Sequence, residues 1–142
     1  MRPKSIVNFE RLVLLYLVIG LIYAYLVWDQ TMASLQDQGA ALGSGTIMTI
    51  QAITVALYLL LVWFISRKGS PVAKWIYVVL SSLSLILGLV GIQQTIALGT
   101  LPLILSVIQY VLILVTIWLL FQSDAKAWFS DGRGGVDSDT FR

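Results

Sequence analysis

The chain has 142 residues, 58% of them hydrophobic and only 11% charged, with a formal net charge of +2. A soluble domain of this length cannot hide so much apolar surface, so the composition points to a membrane protein. Histidine and cysteine are both absent, which excludes disulfides, thiolate or imidazole metal sites, Ser-His-Asp and Cys-His catalysis and histidine proton relays. The small net charge gives no nucleic-acid footprint, and no nucleic-acid partner is expected.

A bilayer core of about 30 Å needs about 20 mostly apolar residues per helix. The chain offers four such runs, at about 12–28, 46–65, 75–92 and 101–121. The first follows the polar start Met1-Arg2-Pro3-Lys4 and holds no charge. It is longer than the apolar region of a secretory signal, and the following Trp28-Asp29-Gln30 lacks a small-x-small cleavage site, so it reads as a helix. No glycine or proline lies between Leu21 and Gln38, so this helix is expected to project beyond the membrane over 31–38. Gly39, Gly43 and Gly45 precede the second helix, Gly69-Ser70-Pro71 separates it from the third, and Gly99-Thr100-Leu101-Pro102 opens the fourth with proline in its first turn. The expected fold is all-α, a single transmembrane domain over residues 1–129 formed by a four-helix bundle with antiparallel neighbours. Its helices are expected at about 6–29, 45–66, 72–95 and 101–122. Residues 130–142, rich in Gly, Asp and Ser, read as a flexible cytoplasmic tail.

All nine Lys and Arg lie in three segments: Arg2, Lys4 and Arg11; Arg67, Lys68 and Lys74; Lys126, Arg133 and Arg142. The loop after the first helix carries only Asp29 and Asp37, and the loop after the third carries no charge. The positive-inside rule therefore puts both termini in the cytoplasm. Trp63, Trp75, Trp118 and Trp128 fall near the expected cytoplasmic interface and Trp28 near the opposite one, where amphipathic indoles settle. Arg67, Lys68, Lys74 and Lys126 are expected to contact anionic lipid headgroups.

In lipid the hydrophobic effect does not hold helices together, so small residues and interhelical hydrogen bonds must. On the third helix Tyr77, Ser81, Ser84, Gly88, Gly91 and Thr95 recur at steps of four and three, with Ser84 and Gly88 a small-xxx-small pair. We read Ser81, Ser84, Gly88 and Gly91 as a packing stripe. Gln51, Thr54 and Tyr58 share a face of the second helix, Ser106, Gln109 and Thr116 one of the fourth, and Tyr16, Gly20 and Tyr23 one of the first. These faces are expected to meet in a left-handed bundle. Tyr23, Gln51, Gln93 and Gln109 all fall in its outer half, as helix-packing groups or as the lining of a small uncharged cavity. A buried glutamine is costly without a partner, supplied by another helix or by a ligand.

No ionisable residue occupies the middle of any span. In size and layout the chain resembles the small multidrug transporters, but that family carries a glutamate in mid first helix where this chain has Ile19-Gly20-Leu21. Their coupling mechanism is not implied. Glu10-Arg11 reads as an interfacial ion pair, with Asp124 the nearest acidic group for any catalytic role. Asp29 and Asp37 read as solvated loop carboxylates. No catalytic residue, metal ligand or cofactor is expected.

The opening Arg2-Pro3-Lys4-Ser5-Ile6-Val7-Asn8-Phe9-Glu10-Arg11-Leu12, the central Arg67-Lys68 to Lys74-Trp75 loop and the closing Asp124-Ala125-Lys126-Ala127-Trp128-Phe129 give the chain its character. It resembles the small four-helix inner-membrane proteins of bacteria to which no function is assigned. That resemblance covers nearly the whole chain through topogenic motifs, and it implies a bacterial cytoplasmic membrane. Abundant packing surface without evident chemistry leads to the expectation of a non-catalytic accessory, regulatory or oligomeric subunit, packed with itself or another membrane protein. The alternative is binding or transport of a small neutral or lipid-like molecule through the outer-half polar patch.

Overall fold

Proline and glycine set the helix limits much as their chemistry requires. Ser70 caps the start of one helix by accepting the Ala73 N–H at 3.3 Å, and Pro71 follows at the first helical position. Gly69 ends the preceding helix in the left-handed region (φ 57°), which lets the Ser70 N–H reach back to the Phe64 carbonyl at 3.3 Å.

The computed structural model describes residues 2–37 and 43–131, in an all-helical fold. The elements are α1 (Lys4–Leu26), α2 (Trp28–Asp37), α3 (Ser44–Lys68), α4 (Pro71–Val90), α5 (Ile92–Ala97), α6 (Thr100–Leu120) and α7 (Ser123–Asp131). Four of them, α1, α3, α4 and α6, are long and apolar enough to cross a membrane. They form a ring in which α1 packs on α3, α3 on α4, α4 on α6 and α6 back on α1, the last pairing being the most extensive. Every described Lys and Arg lies where α1 and α4 begin and α3 and α6 end, here termed the basic end.

Two expected boundaries differ. The first helix has a joint at Val27 (φ −99°, ψ 9°), although its hydrogen bonding continues through Val27 N–H to Tyr23 O (3.1 Å) and Thr31 N–H to Val27 O (2.9 Å). The segment expected to project from the first helix forms a separate helix, α2, over its described residues. The third helix is divided at Gly91 (φ −83°, ψ 7°) into α4 and α5. The expected tail enters the described residues only at Ser130 and Asp131, which close α7. Gly39 and residues 132–142 lie outside the described residues.

The core occupies the basic half. On α1, Ser5, Ile6, Phe9, Val13 and Leu17 are buried, and beyond them no residue of the helix is. On α3 the buried residues begin at Tyr58, and on α4 they stop at Ser81. Phe9 and Tyr58 meet Tyr77 edge-on at centroid distances of 5.0 and 5.8 Å. The Tyr77 hydroxyl lies 2.8 Å from Thr116 Oγ1, which itself donates to the Ile113 carbonyl, so Tyr77 is the donor in the pair. The small α7 closes this end, with Ala125 and Phe129 in the core.

Candidate functional site

The basic end is held by polar groups that answer the unpaired ends of helices. Pro3 caps α1 without a side-chain acceptor, leaving the first amides open. Asp124 of α7 supplies what Pro3 lacks, accepting the Ser5 N–H at 3.2 Å and the Ser5 hydroxyl at 2.6 Å. These bonds, the hydroxyl's first, hold its carboxyl below the usual carboxylate range. Four residues on, the Trp128 indole N–H donates to the Ile65 carbonyl in the last turn of α3 at 3.0 Å. A carboxylate at one helix N-terminus and a donor at another helix C-terminus both suit the local dipole.

Glu10 pairs with Arg2 at 2.6 Å, and Ser66 donates to the same carboxylate at 2.6 Å while accepting from Arg2 at 2.9 Å. The expected Glu10-Arg11 pair is therefore replaced. Neighbours in a helix point about 100° apart, and Arg11 is exposed. Glu10 and Asp124 are each committed to separate structural partners. Lys74 also departs from expectation. Its side chain is buried at 8% exposure, with Nζ 4.2 Å from the Phe121 ring centre and 5.0 Å from that of Phe129. Desolvated cation–π contact of this kind is worth about 2 kcal/mol, and it pins α4 to α6 and α7. Arg67, Lys68 and Lys126 are exposed, as headgroup contact requires. Trp63, Trp75 and Trp118 are exposed too, whereas Trp128 is turned inward by its bond to Ile65.

The other half of the bundle is open. A chamber of about 360 Å³ lies between α1, α3 and α6, with Tyr58 and Tyr16 toward the core and Gly20, Tyr23, Gln51 and Gln109 around it. A second chamber of about 640 Å³ lies between α1 and α2, α4 and α5, and α6, and reaches Gln30, Gln94, Ser106 and Tyr110. The two share Tyr23, Val27, Thr31 and Gln109. Gly20 makes room for Gln109, since a Cβ there would sit 2.9 Å from its amide nitrogen. Tyr58, 5% exposed, has a buried hydroxyl with no protein partner, as has Ser81.

Three of the four expected patch residues, Tyr23, Gln51 and Gln109, thus line one space. Gln93 is exposed and lines neither chamber; Gln94 takes its place. The signal was in the stripe itself, because Gln94 is one helical step from Gly91 and beside Thr95, whereas Gln93 falls on the opposite side. Of the packing stripe, Ser81 is buried and Gly88 receives Tyr110, whose hydroxyl oxygen lies 2.6 Å from where a Cβ would stand. Gly91 is half-buried and lines the second chamber, and Ser84 is exposed because the bundle has opened at that level. Among the described residues no cluster of His, Cys, Asp and Glu is arranged to hold a metal ion.

Comparison with protein-family models, curated proteins and solved structures returns no match to this chain.

Proposed function

We propose that the protein is a non-catalytic binding protein of the bacterial cytoplasmic membrane, which holds a small neutral or lipid-like molecule in the chambers away from the basic end. The clustering of Lys and Arg at one end supports an orientation with both termini in the cytoplasm and the chambers in the outer half. The observation that carries the reading is the convergence of Tyr23, Gln51 and Gln109 on one space, with Tyr16 and Tyr58 at its inner end. The uncharged amides of Gln51 and Gln109 suit a neutral ligand with hydrogen-bonding groups. The acidic groups of the basic end are engaged in structural bonds, which favours a non-catalytic reading. An accessory or oligomeric subunit was the first expectation from sequence. The exposed apolar belt behind it needs no partner beyond lipid tails, so the chambers are the more specific feature.

The test is purification of the full chain in native nanodiscs, with mass spectrometry of what remains bound. A defined small molecule at near-stoichiometric level, lost in Gln51→Leu and Gln109→Leu, is the expected result. Bare protein in every preparation would overturn it, and a stoichiometric protein partner would restore the subunit reading.

A further inference from the structure

The outer-half chamber has lining residues in common with a second space on the surface of the bundle. This space is a groove of about 980 Å³ on the outer face of the bundle between α1 and α3. Ala52 and Ala56 make it concave, and Leu21, Leu26, Met48 and Leu59 make it apolar. Chamber and groove share Ala24, Trp28, Gln51 and Val55, so Gln51, whose amide can hydrogen-bond, borders both spaces. The one charged residue lining the groove is Asp29, and every described Lys and Arg lies at the other end of the bundle.

From this continuity we infer that the ligand is a lipid with a neutral, hydroxyl-bearing headgroup that arrives sideways from the surrounding leaflet. Its headgroup sits at Gln51 and Gln109, and one acyl chain lies in the α1–α3 groove. This rests on the chamber reading above and adds the ligand class and its route. The headgroup gains amide hydrogen bonds that lipid tails cannot offer, and the chain never leaves an apolar medium. An anionic phosphate would meet Asp29 without a cation to offset it, which selects for a neutral head. A water-soluble ligand would leave the groove unused.

The experiment uses the full chain in nanodiscs doped with a long-chain monoacylglycerol, its butyryl analogue or phosphatidylglycerol, with native mass spectrometry counting retained molecules. We expect retention of the long-chain monoacylglycerol at about tenfold over either of the others, a difference of about 1.4 kcal/mol. Ala56→Phe, which fills the groove from an exposed position, is expected to abolish that preference. Val79→Phe, equally exposed on α4, is expected to leave it intact. Equal retention of long-chain and butyryl forms, unaffected by Ala56→Phe, would overturn the lateral route and leave the chamber reading standing. Retention of neither, with Gln51→Leu without effect on what wild type carries, would remove both. A dimer broken by Ala56→Phe would give the groove to a second copy and overturn the inference.

Discussion

The two halves of this bundle are built from the same four apolar helices, yet only one of them closes. In the basic half, rings of Phe9, Tyr58 and Tyr77 interlock, and α7 lies across the end with Asp124 on one helix terminus and Trp128 on another. In the far half the inward positions are small or uncharged polar (Gly20, Gln51, Gly88, Gln109), and joints at Val27 and Gly91 interrupt the first and third long helices. The difference teaches that hydropathy sets only where a helix can reside. Closure requires side-chain volume and partners for helix ends.

Substitutions should therefore cost stability in the basic half and change binding in the far half. Phe9→Ala removes a fully buried ring and is expected to cost about 3 kcal/mol, read as a lower midpoint of thermal unfolding in mild detergent. An unchanged midpoint would break the contrast at its strongest point. Gly69→Ala comes next. Its φ of 57° strains any Cβ, which would also stand 2.9 Å from the Trp128 carbonyl oxygen. A loss of about 2 kcal/mol is expected, together with proteolysis between α6 and α7.

Asp124→Asn should have a smaller effect with a distinctive pH signature. Because the two Ser5 bonds lower the folded carboxyl's pKa, their stabilisation is complete above the unfolded value of about 3.9. It is lost as pH falls through the lower folded value. Wild type should lose this increment on acidification and Asp124→Asn should lack it, which difference unfolding curves at neutral and acid pH will show. Gly20→Ala should be the mildest for folding, below about 0.5 kcal/mol, because only the flexible end of Gln109 must move. Retained ligand should nevertheless fall. The reverse pattern, stability lost and ligand kept, would mean that the far half is packed after all.

How much of this was legible follows the same division. The four spans, the breakers at Gly69-Ser70-Pro71 and Gly99, and the convergence of Tyr23, Gln51 and Gln109 are periodic or local features, and sequence carries them. The role of α7 was hidden. Its residues read as interfacial anchors because nothing local tells that the chain folds back so that Asp124 meets Ser5, 119 positions away. Lys74 was misplaced for the same reason, since its aromatic collar comes from Phe121 and Phe129. Glu10 found Arg2 and Ser66 through the fold. The choice of Gln94 over Gln93 was recoverable from phase alone.

The most direct test of the contrast uses the absence of cysteine from the chain. Single-cysteine variants at Gln51 and Thr116 are treated with a membrane-impermeant maleimide from the outer face of oriented vesicles. The account predicts rapid labelling of Gln51→Cys and none of Thr116→Cys until the protein is unfolded. Protection of Gln51→Cys equal to that of Thr116→Cys would contradict it.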